Sequence, residues 1–208
     1  TIDDIVDIID EENTGDLHKM AAMEPLEDSY LKTNAFVLAK HRITWLLVLM
    51  VSATFTGNII KKYETVLQST VLLASFIPML MDTRGNAGAQ SSTLIIRGMA
   101  LGEINTYDAL KVFLKELKVS FISGFILALV NFLRLMFFER VDSLVSLTVS
   151  ISLFATVVLS KVVGGLLPIV AKKVRLDPAI MAGPLITTIV DAVALMIYFG
   201  TAVKLLGL

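Results

Sequence analysis

Apolar residues in this chain fall into long runs separated by short charged breaks, and the runs have membrane-crossing length. Ile43 to Ile60 carries no charge and begins near Trp45, an indole suited to a membrane interface. Thr65 to Met81 is a second run and contains Pro78; Lys61, Lys62, Tyr63 and Glu64 form a short turn before it. Val119 to Phe138 is a third, with Arg134 near its end. Ser143 to Ala171 is a fourth, interrupted by Lys161 and by Gly164, Gly165 and Pro168, where a kink is expected. Pro178 to Leu206 is the fifth. A hydrocarbon core of roughly 30 Å needs about 20 apolar residues at about 1.5 Å each. The pattern predicts an all-α integral membrane protein with five transmembrane helices over 31–208, preceded by a short acidic helical segment over 1–30.

That first segment reads differently. Ile2, Ile5, Val6, Ile8 and Ile9 recur at helical spacing. Asn13 to Asp16 then breaks the pattern and can cap a second helix running to about Glu24, before Pro25. Its acids include Asp7, Asp10, Glu11, Glu12 and Asp16. Two readings stand: a solvated charged helix, or a regulatory surface whose carboxylates repel one another until a divalent ion screens them.

Composition narrows the class. Of 208 residues, 55% are hydrophobic and 18% charged, too apolar for a soluble domain of this size. The net charge of −1 gives no reason to expect a nucleic-acid partner. No cysteine occurs, so disulfides, thiolate metal sites and cysteine nucleophiles are excluded. The two histidines, His18 and His41, both precede the first long run, so an ion site inside the membrane must use oxygen ligands. The chain opens at Thr1 with no signal peptide and resembles a piece of a longer protein. With the amino terminus inside, ten Lys and Arg flank the cytoplasmic ends and five the outer ends. The expectation is a multi-pass protein of the plasma or inner membrane, amino terminus cytoplasmic and carboxyl terminus outside.

Asp191 is the residue the apolar pattern does not explain. It is the sole charge in the fifth run before Lys204. Thirteen residues separate it from Asp177, which places it about 20 Å in if the run is one helix. An ionised Asp there costs about 2.5–3.5 kcal/mol unless it meets a partner or water, so it is the candidate functional group. Gly183, Thr187 and Asp191 recur at four-residue spacing, and Pro184 must disturb the helix beside them. That stripe offers backbone oxygens, a hydroxyl and a carboxylate, ligands that suit a hydrated Mg²⁺ better than a caged Ca²⁺. The stretch from Pro78 to Thr93 is its natural partner. Gly85, Ala87, Gly88 and Ala89 allow a close approach or a helix break, and Asn86 and Gln90 share one face. Gly85, Asn86, Gln90 and Pro184 are therefore the expected pore lining.

Two of these stretches, Pro78-Met-Leu-Met-Asp-Thr-Arg-Gly-Asn-Ala-Gly-Ala-Gln-Ser-Ser-Thr-Leu-Ile-Ile-Arg97 and Asp177-Pro-Ala-Ile-Met-Ala-Gly-Pro-Leu-Ile-Thr-Thr-Ile-Val-Asp191, resemble the signatures of the MgtE family of Mg²⁺ channels. The opening residues resemble the end of that family's CBS region and its plug helix. The resemblance implies a homodimer in the lipid bilayer, five helices per subunit and a pore at the dimer interface. It implies that Asp191 holds hydrated Mg²⁺, that carbonyls near Gly183 and Thr187 support it, and that the Asn86 region lines the pore. It also implies a cytosolic amino-terminal domain and a CBS pair that this sequence lacks, with Mg²⁺ as both cargo and regulatory ligand. One residue departs from the pattern. Arg84 stands where the family commonly has glycine; an ion pair with Asp82 is the expectation for it, and repulsion of Mg²⁺ is the alternative.

No covalent chemistry is needed by this reading, and the protein is not expected to be an enzyme. Three other classes are distinguishable. A proton-coupled metal carrier predicts steep pH dependence, and an intramembrane aspartyl protease would use Asp82 and Asp191 as a shared-proton pair. A membrane anchor without transport predicts that loss of Asp191 is silent.

Overall fold

The computed structural model describes residues 14–21, 23, 30–181 and 184–208, with the side chains of 184 and 185 left aside. Every regular element among them is helical. A short helix α1 covers 14–20. It is followed by α2 (Ala35–Lys62), α3 (Glu64–Ser69), α4 (Leu72–Ala100), α5 (Ala109–Phe137), α6 (Ser143–Lys173) and α7 (Pro184–Leu206). Two 3-10 turns, Thr106–Asp108 and Pro178–Met181, lead into α5 and α7.

Four segments are long and apolar enough to cross a membrane: Ala35–Lys62, Thr106–Phe137, Ser143–Lys173 and Pro178–Leu206. Their outward faces carry Leu46, Met50, Phe55, Phe121, Ile122 and Phe125, all exposed. Such a surface suits hydrocarbon rather than water. This is a multi-pass integral membrane protein. The second expected run behaves differently. α4 has 29 residues, but from its eleventh residue onward it carries Asp82, Arg84, Asn86, Gln90, Ser91, Ser92 and Arg97. Its length would span a bilayer while its composition would not.

Two details of the sequence reading need correction. The second run is divided near Thr70, between α3 and α4, instead of running from Thr65 to Met81. The polar stretch after Pro78 is also not a break, because α4 continues helical from Leu72 to Ala100 through Pro78 and the glycines. Pro78 removes one backbone bond, to Ala74, but the other amides keep theirs. In an apolar setting an unbroken helix satisfies its own backbone, whereas an opened one would leave carbonyls bare. α6 likewise runs unbroken past Gly164, Gly165 and Pro168.

α6 is the central element and packs against α4, α5 and α7. Its buried face is lined with small hydroxyl residues, among them Thr148, Ser152, Thr156 and Ser160. Thr148 and Ser152 donate to carbonyls of their own helix at 2.7 Å each, and Thr156 does so at 3.1 Å. The hydroxyls thus cost little to bury and leave a flat surface for neighbours. Asn131 of α5 donates to Ser150 Oγ at 3.1 Å, and Tyr198 of α7 donates to the Leu73 carbonyl at 2.8 Å. An apolar core of Leu73, Phe76, Leu80, Leu135, Leu153 and Phe199 joins four helices below these bonds. α2 is peripheral: Thr56 is its only buried residue among those described, and Tyr63 just beyond it stacks on Phe199 at 4.7 Å.

The tightest crossing joins α4 to α6. A Cβ on Gly164 would overlap the Gly88 carbonyl, and one on Gly88 would stand 2.6 Å from Ser160 Oγ and 2.9 Å from Ile186 Cγ2. Glycine is required at both positions for the backbones to meet. Gly164→Ala is expected to destabilise the fold by about 1–3 kcal/mol, the usual penalty of overpacking. The lowered thermal midpoint would be read in detergent, with Gly57→Ala as the silent comparison because a Cβ there meets nothing within 4 Å.

Candidate functional site

α7 begins at Pro184, the first-turn position where proline's missing N–H and fixed φ are harmless. Gly183 lies outside the described residues, as do Asp7, Asp10, Glu11 and Glu12 of the acidic cluster. Ile186, Val190 and Ala194 form one buried stripe of α7, packed on Leu159, Val163 and Leu167 of α6. Thr187 and Asp191 occupy the adjoining, half-buried stripe, one turn apart. Since α7 starts at 184, Asp191 stands about 10 Å along its axis.

Arg84 faces that stripe from α4. Its guanidinium Nη2 forms an ion pair with Asp191 Oδ1, and Nη1 lies 3.4 Å from the Thr187 carbonyl. The Arg84 side chain is 1% exposed while that of Asp191 is 21% exposed. One basic residue therefore holds two of the expected ligands together. Ser160 of α6 fastens this arrangement by donating to the Arg84 carbonyl. Gly85 completes the contact, since a Cβ there would lie 3.1 Å from Thr187 Cγ2.

The pairing expected within α4 does not form. Asp82 is exposed and accepts instead from Asn86 Nδ2 at 3.2 Å. Two residues apart on a continuous helix are about 200° apart, so Asp82 and Arg84 face opposite ways. The same turn of the helix removes the protease arrangement. Asp82 and Asp191 are on different sides of α4, and a guanidinium occupies the place a second carboxyl would need.

Asn86 and Gln90 share one face of α4, as read from their spacing, but that face is not the Asp191 face. They line a cavity of about 740 Å³ between α4, α5 and α6, with Ser91, Glu116 and Lys161. Ser91 donates to Glu116 Oε2 at 2.6 Å, and Lys161 Nζ lies 3.4 Å from Gln90 Oε1. Glu116 and Lys161 are 9% and 8% exposed. Gly165 makes room for Glu116, whose Cγ would be 2.8 Å from a Cβ at that position. In the sequence Lys161 stands out only as an interruption of the fourth run, and Glu116 not at all. The available signal was Lys161 inside an apolar run opposite a Gly-Ser-Gln face.

Among the described residues, no three His, Asp or Glu side chains approach closely enough to hold one metal ion. What Asp191 and Thr187 provide is a lone carboxylate and a carbonyl. Such a donor set fits an ion that keeps most of its waters.

The matched region of the chain decides its family. The family model MgtE, described as a divalent cation transporter, matches residues 77–201, which include most of α4, all of α5 and α6, and the Asp191 turn of α7. The chain belongs to the MgtE family. Among its relatives, the Magnesium transporter MgtE of Bacillus subtilis (strain 168) is 35% identical over 202 residues, covering 97% of this chain and 44% of that protein. The Magnesium transporter MgtE of Thermus thermophilus is 33% identical over 206 residues, covering 99% of this chain and 45% of that protein. The one from Enterococcus faecalis is 28% identical over 202 residues, covering 97% of this chain and 44% of its own length. This MgtE-family chain thus spans less than half the length of the curated relatives it matches.

A second polar contact ties the amino-terminal segment to the loop before α7. Lys19 Nζ of α1 lies 2.6 Å from Asp177 Oδ2, and 3.8 Å from Asp16 of the acidic cluster. Asp177 Oδ1 also accepts from the Ala179 N–H at 2.9 Å. Partial burial raises the Asp177 carboxyl. The bonds from Lys19 and Ala179, with the Lys19 charge, outweigh that and hold it below its ordinary carboxylate value. Because the folded value is the lower one, this stabilisation is present at neutral pH and is lost as pH falls through it, below about pH 4. Asp177→Asn reproduces the acid state at pH 7. Amide exchange over 14–20, corrected for intrinsic rates, is expected to quicken about two- to fivefold, in keeping with a partly exposed ion pair.

Proposed function

We propose that this chain is the membrane-embedded part of a divalent-cation channel whose cargo is Mg²⁺. The observation that carries the reading is Asp191: one half-buried carboxylate on an apolar helix, inside the region that matches a divalent cation transporter family. Three relatives that are magnesium transporters point to the ion.

Residues 31–208 form the pore domain in this reading, with α2, α4, α5, α6 and α7 as its five crossings. The polar half of α4 is tolerated as a crossing because it faces protein, cavity or a second copy of the chain rather than lipid. The ion path lies at the interface of a homodimer, where each subunit presents one Asp191. The amino terminus is cytoplasmic and the carboxyl terminus outside, and 1–30 is a cytosolic regulatory segment that responds to Mg²⁺.

Mechanism follows from charge and hydration. Mg²⁺ sheds water reluctantly, so a lone carboxylate and a nearby backbone oxygen, that of Thr187, meet its water shell. Gly85 borders this path beside Thr187, while Asn86 and Gln90 line the separate cavity on the other face of α4. An inside-negative potential drives the divalent ion inward by about 4.6 kcal/mol per 100 mV, twice the single-charge value. A weak ligand set lets the ion leave on the other side. Neither step calls for a proton.

The test is Mg²⁺ uptake into liposomes by wild type and Asp191→Ala, each with and without an imposed potential. Potential-driven uptake in wild type, falling about tenfold or more in the variant, is expected from removal of an intramembrane counter-charge. Equal uptake in both would take Asp191 out of the path. Uptake that follows an imposed proton gradient rather than the potential would favour a proton-coupled carrier.

A further inference from the structure

The ion pair at Asp191 has a geometry that bears on how the site handles cations. Arg84 is almost wholly buried, whereas the Asp191 carboxylate keeps an open side. The guanidinium approaches from within the helix packing, behind the carboxylate. It also holds the Thr187 carbonyl oxygen, at 3.4 Å, so both oxygens of this turn already face a positive charge. The residue's backbone is pinned, since α4 is continuous there and Ser160 donates to its carbonyl. A Cβ added to the next residue, Gly85, would lie 3.1 Å from Thr187 Cγ2, so α4 and α7 have no slack at this level. A guanidinium stays charged at any physiological pH, and a buried one does not leave its partner readily.

We propose that Arg84 is a fixed counter-cation that sets the affinity and charge preference of the Asp191 site. Resting on the cation-pathway reading above, this inference adds a residue to it. A cation reaches the open side of the carboxylate while Arg84 remains behind it. The pair alone is neutral, so the arriving ion meets a dipole instead of a full negative charge. Repulsion from the guanidinium doubles for a divalent ion relative to a monovalent one at the same distance. Arg84 therefore keeps Mg²⁺ binding weak and release fast, and it narrows the preference of the site for divalent over monovalent ions. Two copies of the chain facing each other would each bring one Arg84, so each carboxylate keeps its own counter-cation.

The experiment compares wild type with Arg84→Gln, Arg84→Met, Arg84→Lys and Asp191→Asn in liposomes, measuring the half-saturating Mg²⁺ for uptake and the Mg²⁺-to-Na⁺ preference. Removing the charge in Arg84→Gln or Arg84→Met is expected to lower half-saturation about tenfold or more and to raise the divalent preference, with Arg84→Lys near wild type. Thermal unfolding in detergent reports whether each variant folds, and Arg84→Gln combined with Asp191→Asn relieves the unpaired carboxylate where the single variant does not. In wild-type protein, a Mg²⁺ titration is expected to shift the Arg84 guanidinium nitrogen resonance with the midpoint seen for uptake. Unchanged half-saturation in a folded, Asp191-dependent Arg84→Gln protein would overturn the proposal, as would a guanidinium resonance indifferent to Mg²⁺. Uptake equal in Asp191→Asn and wild type would instead overturn the pathway reading itself.

Discussion

The crossing of α4 and α6 at Gly88 and Gly164 is the constraint on which the remaining arrangement rests. Between apolar helices in lipid there is little hydrophobic drive to associate, so contact must come from close packing and from polar links. Backbone contact at this crossing supplies the packing. It also brings Ser160 under the Arg84 carbonyl and sets Gly85 against Thr187, so one approach fixes the register of three helices. A larger residue at either glycine would move α4 away from α7 and separate Arg84 from Asp191.

Electrostatics follow from that register. An isolated arginine or aspartate within an apolar bundle would be costly, and each is present here because the other is within reach. The hydroxyl-lined face of α6 serves a similar end by a different route. Thr148, Ser152 and Thr156 return their hydrogen bonds to their own helix, which leaves the surface smooth while occupying those donors. Glu116 and Lys161 mark a second polar region on the other face of α4, where Ser91 and Gln90 supply their partners. One helix thus separates two polar zones, each built against a different neighbour.

The outer helices answer to the solvent more than to each other. α2 buries little and offers leucine, methionine and phenylalanine outward, as a helix in contact with acyl chains would. Membership of the MgtE family gives this exposure its setting, and matched residues 77–201 cover the helices that meet at the Asp191 turn. The relatives are more than twice as long as the aligned chain. Contact between Lys19 and Asp177 is one place where the amino-terminal segment meets the loop that leads into α7.

Length and hydropathy alone determined the helical membrane character, and Asp191 stood out because one carboxylate in a long apolar run has a cost that composition reveals. The four-residue spacing of Thr187 and Asp191 was legible for the same reason: periodicity is local. The continuity of α4 was not, because glycine, asparagine and proline signal a break in isolation, and only packing against α6 and α7 keeps the helix closed. Nor could the sequence choose the partner of Arg84. Asp82 is two residues away and Asp191 is 107, yet helical geometry turns the near one aside and the α4–α7 contact brings the far one in. Which groups a chain carries is written in its order; which of them touch depends on how closely its helices can approach.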